Sequence, residues 1–179
     1  MTNHAVLIPN KVLAYKNDSL VRPVISASAL DNGNIFMLNQ KTGVTGEGEV
    51  FLATAPSSAS ATRLWMAGEP EMPFATAGDN VYRGLGTIRD FYNTACAVFT
   101  GFALKEYDII TLTSEALDST STAAYAIPDD SGNYKWKWSA VATSGLILRY
   151  LGTTYIPFAS ASAIGSGRLT AYQFEVYKA

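Results

Sequence analysis

Apolar and polar residues alternate along several stretches of the chain, a pattern that is typical of half-buried strands. In residues 134–138, YKWKW, Trp136 and Trp138 fall on one strand face together with a tyrosine, while two lysines fall on the other. In residues 169–177, LTAYQFEVY, three large apolar side chains fall on one face in the same way. The sequence DDSGN at 129–133 precedes the first of these stretches and predicts a hairpin turn.

The remaining apolar runs also predict short strands, separated by loops rich in glycine, proline or small polar residues. These strands are predicted at 21–29, 35–38, 50–54, 109–112, 146–150 and 153–158. The turn residues Asp31–Gly33 predict that the first two form a hairpin. Residues 87–99 have the best helical spacing in the chain, and residues 114–117 predict one helical turn. The predicted fold class is mainly β: a compact β-sandwich or β-barrel-like domain with long loops and at most one or two short helices.

Residues 1–20 are predicted to form an extended N-terminal arm, and residues 21–179 a single β-rich domain. Pro9, Asn17 and Asp18 interrupt the arm, and its apolar residues lack a periodicity that would fold it alone. Such a segment is expected to become ordered against a partner. Its lysines could meet an acidic surface, although ordinary solvation explains them equally well. The residues predicted to contact a partner are Leu7, Ile8, Lys11, Val12, Leu13, Tyr15, Lys16, Trp136 and Trp138.

The composition limits both the size of the fold and the class of partner. A chain of 179 residues with 48% hydrophobic residues is long enough for one domain with a sizeable core. Only 16% of the residues are charged and the formal net charge is −2, so little repulsion keeps copies apart and assembly is favoured. The 13 basic residues are scattered among 15 acidic ones, which argues against direct binding of nucleic acid. The sequence contains no recognisable export signal or membrane-spanning apolar run, so no membrane partner is expected.

Residues that carry catalytic chemistry are sparse. The only histidine, His4, lies in the predicted arm and is expected to be mobile, which argues against a Ser-His-Asp triad. The only cysteine, Cys96, is expected to be a small buried residue, and one Cys with one His is too few for a dedicated zinc site. Residues 43–48 are glycine-rich but lack the continuation of a phosphate-binding loop. We therefore expect no catalytic residue, no cofactor, no metal site and no enzymatic activity.

Four motifs, taken in order, resemble those of a known family. They are GEVFLATAP at 48–56, LWMAGEPEMPF at 64–74, IRDFYNTACAVFTGFAL at 88–104 and YDIITLTSEAL at 107–117. The matching residues are Glu49, Val50, Ala53, Ala55, Pro56, Arg89, Asp90, Phe91, Asn93, Asp108, Ile109, Thr113, Glu115, Ala116 and Leu117. The set resembles the head decoration, or cement, proteins of tailed bacteriophages, which are encoded beside the major capsid protein. The chain departs from that pattern at Tyr107, where a glycine is usual, and at Cys96–Val98, which replaces a Gly-rich segment.

The resemblance covers roughly residues 20–179 and implies a non-enzymatic structural protein of the virion. Such a protein decorates and stabilises the capsid by binding the shell of the major capsid protein at the capsid surface. The resemblance also implies a homo-oligomer on the capsid, either a trimer or a dimer. Asp90 and Asn93 are then expected to bond loop backbone and to have no catalytic role.

Two alternatives remain open from the residues themselves. A sugar- or receptor-binding β module on the virion surface would present Trp136 and Trp138 to solvent, because exposed aromatic rings stack on sugars. We expect instead that both tryptophans face protein, either in the core or at a neighbouring subunit. An enzyme would need a cleft with a pair of carboxylates of perturbed pKa.

Overall fold

The computed structural model of the chain describes residues 3–41, 49–69, 88–119, 122–142, 144–159 and 166–179. The described strands are β1 (Leu7–Lys11), β2 (Val21–Ile25), β3 (Ile35–Lys41), β4 (Phe51–Thr54), β5 (Leu64–Ala67), β6 (Val98–Ala103), β7 (Ile109–Thr113), β8 (Tyr125–Pro128), β9 (Trp136–Ser139), β10 (Ile147–Ala159) and β11 (Ser166–Lys178). The described helices are 3₁₀ turns at Leu13–Lys16, Asp18–Leu20, Ile88–Asp90 and Ser114–Ala116. None of these described helices is long and apolar enough to cross a membrane. The prediction of a mainly β fold is confirmed.

Five strands close into a barrel in the order β2-β4-β3-β5-β6, with β6 pairing back onto β2. The pair β2–β4 is parallel, and the other barrel pairs are antiparallel. Because successive side chains of a strand point to opposite faces, Phe36 points into the barrel while its neighbour Ile35 packs outside it. Phe36 meets Phe99 edge-on inside the barrel, at a centroid distance of 5.8 Å. The barrel interior is therefore a packed apolar core.

The other strands form a six-stranded sheet in the order β1-β7-β11-β10-β8-β9. A core shared between sheet and barrel holds the two together, because barrel residues such as Met66 and Phe102 pack with sheet residues such as Leu112 and Phe174. The sheet contains the predicted hairpin at DDSGN, between β8 and β9. The two strands predicted at 146–150 and 153–158 are one strand, β10, whose register shifts near Gly152.

The turn from Asp31 to Ile35 joins the barrel to the sheet. Gly33 donates its N–H to the Ala67 carbonyl of the barrel at 2.9 Å and accepts the indole N–H of Trp136 from the sheet at 3.0 Å. Gly33 adopts a φ of 86°, a left-handed conformation that glycine reaches without strain. Asp31 accepts hydrogen bonds from the backbone N–H of Ala5 and from His4. The turn predicted here from sequence is therefore present and holds both halves of the core.

The predicted hairpin between residues 21–29 and 35–38 is wrong, because β4 lies between β2 and β3 in the barrel. The helix predicted over 87–99 is wrong too: within the described part, Ile88–Asp90 form a 3₁₀ turn and β6 begins at Val98. Asn93 forms an isolated bridge with Leu30, which consumes the backbone groups a helix would need. In both cases pairing between residues distant in sequence overrides a local pattern.

The first residues of the chain, predicted as an arm that orders against a partner, are already ordered against this chain's own core. Residues Leu7–Lys11 form β1, an edge strand paired antiparallel with β7, and Ala5, Val6 and Ala14 are buried. His4, expected to be mobile, stacks on Tyr92 at 4.6 Å between ring centroids. Strand pairing and burial stabilise this segment. The absence of helical periodicity in its sequence therefore did not mean that it lacks structure. Residues 3–20 are thus part of the fold.

Candidate partner-contact surface

The nine residues predicted to contact a partner divide into five exposed residues, three buried residues and the half-buried Trp138. Those that reach solvent are Ile8, Lys11, Leu13, Tyr15 and Lys16. Leu7 and Val12 are buried in the core shared by sheet and barrel, since they sit on the inner side of the N-terminal segment. They are therefore core residues, and their prediction as partner contacts is wrong.

Trp136 is fully buried, with a relative exposure of 0%. Its indole N–H donates to the Gly33 carbonyl at 3.0 Å, which satisfies the one polar group of the ring. The prediction that this tryptophan faces protein is confirmed, but the protein it faces is its own core. Trp136 is therefore unavailable to a partner, which corrects its prediction as a contact residue.

Trp138 is half-buried and belongs to an aromatic cluster on the six-stranded sheet. Its ring lies 5.4 Å from Tyr150, 5.4 Å from Tyr172 and 5.3 Å from Phe174, measured between centroids. Its indole N–H donates to the Ser119 carbonyl at 3.1 Å. The ring is thus held from several sides, and little of it is presented as an open stacking face.

A carboxylate fixes the exposed N-terminal residues in place. The two oxygens of Asp108 accept the backbone N–H of Leu13 at 3.0 Å and that of Lys105 at 2.8 Å. This ties the 3₁₀ turn Leu13–Lys16 to the turn that precedes β7. Ala14 is buried below, and the ring of Tyr15 contacts Phe102 of the barrel at 5.9 Å. Leu13 and Tyr15 are consequently held outward, 48% and 61% exposed, on a hydrogen-bonded and packed support.

Tyr107 lies beside this turn, and the sequence did not single it out as a contact residue. It is 78% exposed and adopts a φ of 72°, which costs a non-glycine residue about 1–2 kcal/mol. Its backbone N–H donates to the Val176 carbonyl at 2.9 Å, which holds the conformation. The available signal was the departure from the decoration-protein pattern, since a tyrosine stands here in place of glycine. Tyr107 is thus a strained, exposed aromatic residue on the same surface as Leu13 and Tyr15.

These residues line a groove that we call the N-terminal groove. Its volume is about 700 Å³, and its lining includes Lys11, Leu13, Tyr15, Lys16 and Tyr107. Apolar side chains with lysines at their margin are typical of surfaces that bind other macromolecules. The N-terminal groove is therefore the candidate functional site of the described residues.

Apart from Asp108, the motif residues that carry the family resemblance do not line this groove, and several of them have structural roles. Arg89 forms an ion pair with Glu115 at 2.8 Å, which joins the third and fourth motifs in space. The side-chain amide of Asn93 donates to the Leu30 carbonyl at 3.0 Å, so this residue does bond loop backbone as predicted. Ala116 and Leu117 are buried in the core. Cys96, expected to be buried, is exposed and adopts a φ of 62° in a turn.

Glu115 gives the protein a predictable response to acid. Burial raises the pKa of its carboxyl, but hydrogen bonds from Thr113, from backbone and from Arg89, with the Arg89 charge, outweigh burial and hold the pKa below its usual value. A carboxyl whose pKa is lowered by folding stabilises the fold above its unfolded pKa, and this stability is lost as the pH falls through the folded pKa.

We therefore expect Glu115→Gln to lower the free energy of unfolding by about 1.5–3 kcal/mol at pH 7, the range for hydrogen bonds to charged groups. The difference from the unchanged protein should shrink as the pH drops below about 4, measured by urea unfolding at a series of pH values. Glu175→Gln, which breaks the ion pair with the half-exposed Arg149, is the control and should cost less. A Glu115→Gln deficit that does not change with pH would contradict this account.

The DDSGN sequence forms the turn that was predicted, held by Asp129. Burial raises the pKa of the Asp129 carboxyl, but hydrogen bonds from Ser131 and Asn133 outweigh it and lower the pKa. The carboxylate accepts the Ser131 N–H at 2.9 Å and the Asn133 amide at 2.6 Å.

Within the described ranges, no group of three or more His, Cys, Asp and Glu side chains is placed to hold a metal ion.

Comparison of the chain with protein-family profiles, with curated proteins and with solved structures finds no match. The arrangement of residues on the surface is therefore the basis for a functional proposal, together with the motif resemblance.

Proposed function

We propose that this chain is a non-enzymatic virion protein that decorates and stabilises a bacteriophage capsid by binding the assembled shell of major capsid protein. The observation that carries the proposal is the N-terminal groove, where Leu13, Tyr15 and Tyr107 are held outward on a hydrogen-bonded and packed support. A surface prepared in advance binds without the entropy cost of ordering a flexible segment. The cement role follows from the motif resemblance.

The chemistry of the groove favours a protein partner. Tyrosine and apolar side chains are enriched in the centres of protein interfaces, while charged residues lie at their rims. Here the apolar centre is formed by Leu13, Tyr15 and Tyr107, and Lys11 and Lys16 lie beside it. A large protein lattice with an acidic patch would match both features.

Weak binding by each copy is sufficient when many copies bind the shell together. A protein that binds the assembled shell more tightly than its free subunits stabilises the assembly by mass action. A homo-oligomer, trimeric or dimeric, would engage several sites at once and multiply modest affinities. The low net charge of −2 limits repulsion between neighbouring copies on the capsid.

The sugar- or receptor-binding alternative depended on two exposed tryptophans. Trp136 is in the core and Trp138 is held by its aromatic neighbours, so that feature is not found. The alternative therefore gains no support from these two residues.

The experiment is co-sedimentation with emptied capsids of the source phage. Truncation before Val21 is unsuitable, because it would remove β1 and several core residues. Point variants on the surface keep the core intact. The double variant Leu13→Ser/Tyr15→Ser is expected to bind about tenfold or more weakly, since it removes two central interface side chains.

The matched control is Val141→Ser/Tyr155→Ser, which changes two exposed apolar residues away from the N-terminal groove. It should bind the capsids as the unchanged protein does. Thermal melting of each variant verifies that the fold is retained. Equal binding by both double variants, or equal loss in both, would contradict the assignment of the N-terminal groove.

A further inference from the structure

A second groove, which we call the barrel groove, opens on the other side of Leu13 and Tyr107. Its volume is about 810 Å³, and Trp65 and Leu104 contribute apolar lining. Leu13, Glu106 and Tyr107 line both grooves, so the two are adjacent and share a wall. A ligand that crosses this shared wall could occupy both grooves at once.

The charged side chains along the two grooves are mostly cationic. Lys11 and Lys16 line the N-terminal groove, while Arg63 and Lys105 line the barrel groove. Glu106 lines both grooves, and Asp108, the other acidic side chain in the two linings, accepts two backbone N–H groups; the terminal residue Ala179 also lines the barrel groove. In a chain of net charge −2, this is a local reversal of sign.

These four cations are also unpaired among the residues that the structure describes. Arg89, Lys137 and Arg149 each form an ion pair with a carboxylate of this chain. Lys11, Lys16, Arg63 and Lys105 have no such partner in the described ranges. Their charges are therefore available to an anionic ligand.

Two residues of this surface hold left-handed backbone conformations. Arg63 has a φ of 60° and Tyr107 a φ of 72°, and both line the barrel groove. Unfavourable conformations in non-glycine residues cluster at ligand-binding sites, where the surrounding structure enforces them. Here they place an exposed cation and an exposed aromatic ring on the same groove.

We propose that the two grooves together bind one extended acidic segment of a partner polypeptide, with apolar side chains of that segment seated on Leu13, Trp65 and Leu104. This inference rests on the proposed function and specifies which part of the shell protein is recognised. An extended chain suits the site because it can span both grooves and cross the wall between them. Nucleic acid, also anionic, suits it less, because leucine side chains outnumber the three aromatic rings on which bases could stack.

The test uses the purified full-length chain and defined probes, so it does not depend on capsids. The probe is a fluorescent peptide that alternates glutamate with leucine. A peptide of the same length with lysine in place of glutamate, and a single-stranded DNA of equal charge, are the comparison ligands. We expect the acidic peptide to bind, to weaken with added salt, and to bind more tightly than either comparison ligand.

Charge reversal locates the site. Arg63→Glu/Lys105→Glu should weaken binding of the acidic peptide about tenfold or more. The control Lys135→Glu/Arg168→Glu changes the net charge equally, at exposed cations that do not line either groove, and should bind as the unchanged chain. The proposal is overturned if the acidic peptide does not bind, if the DNA binds as tightly, or if the two variants behave alike.

Tyr107→Gly provides a readout that damage to the fold would not produce. Glycine adopts a φ of 72° without strain, so the thermal midpoint should equal or exceed that of the unchanged chain, while peptide binding weakens. If Tyr107→Gly binds the peptide as the unchanged chain does, Tyr107 does not contribute to the site. If the unchanged chain binds capsids but not the peptide, the decoration function stands and this inference is refuted. If the unchanged chain does not bind capsids, the decoration function is refuted whatever the peptide result.

Discussion

Trp136→Ala is expected to destabilise the fold by about 3–5 kcal/mol, the range for removing a large aromatic side chain from a core. Trp136 is fully buried in the core shared by the sheet and the barrel. Its loss leaves a cavity and also leaves the Gly33 carbonyl without the indole donor. Because domains are stable by about 5–15 kcal/mol in total, this single change should remove a large fraction of the stability.

Urea unfolding followed by circular dichroism measures this effect. Trp138→Ala is the matched control, because Trp138 lies on the same strand but is only half-buried. The control should cost clearly less, since part of the ring is already in contact with solvent. Equal losses for the two variants would contradict the placement of Trp136 at the centre of the core.

Gly33→Ala is expected to be the second most damaging change, at about 2–4 kcal/mol, because strain and overpacking add. The φ of 86° disfavours any side chain. A Cβ atom at this position would also lie 2.5 Å from the Cδ2 atom of Leu112 and 3.8 Å from the Cβ atom of Leu7. Either the fully buried Leu112 side chain or the turn that joins barrel and sheet would then have to shift.

Gly132→Ala separates the two causes. Gly132 has a φ of 82°, nearly that of Gly33, but a Cβ atom there would have no neighbour within 4 Å. This control should therefore show the conformational cost alone, about 1 kcal/mol. Thermal melting of both variants gives the comparison. If Gly33→Ala lowers the stability no more than Gly132→Ala does, the contact between the added Cβ atom and Leu112 does not destabilise the fold.

Local pattern was enough to predict those parts of the fold where neighbours in sequence also pair. DDSGN has the residues that a tight turn requires, and the flanking strands β8 and β9 pair directly with each other. The alternation in residues 169–177 matches the burial of Phe174 and Val176 on the inner face of β11. In these segments the local preference and the tertiary environment agree.

Pairing between distant residues could not be predicted from local pattern. β2 and β3 are adjacent in sequence with a good turn between them, yet β2 pairs in parallel with β4 and antiparallel with β6. β1 is stabilised by β7, about a hundred residues away in the chain. No short window of sequence contains that partner, which is why residues 3–20 resembled an arm.

The candidate site was predicted in part. Leu13, Tyr15, Lys11 and Lys16 were singled out as apolar anchors and cations of a segment without helical periodicity. All four are exposed in the structure, and their contact role stays a prediction. Tyr107 was not predicted, because its proximity to the N-terminal segment depends on the fold. Asp108 binds the backbone N–H groups of both Leu13 and Lys105, which places the turn that contains Tyr107 beside that segment. The barrel groove likewise depends on three-dimensional proximity.

Binding of the purified chain to assembled phage shells, compared with binding to the unassembled major capsid protein, tests the proposed decoration function most directly. We expect saturable binding to emptied shells, weak binding to the free subunits, and a higher melting temperature of the decorated shell, because a ligand that prefers the assembled state stabilises it. Absence of binding to shells by the folded protein, or equal binding to shells and free subunits, would contradict that function.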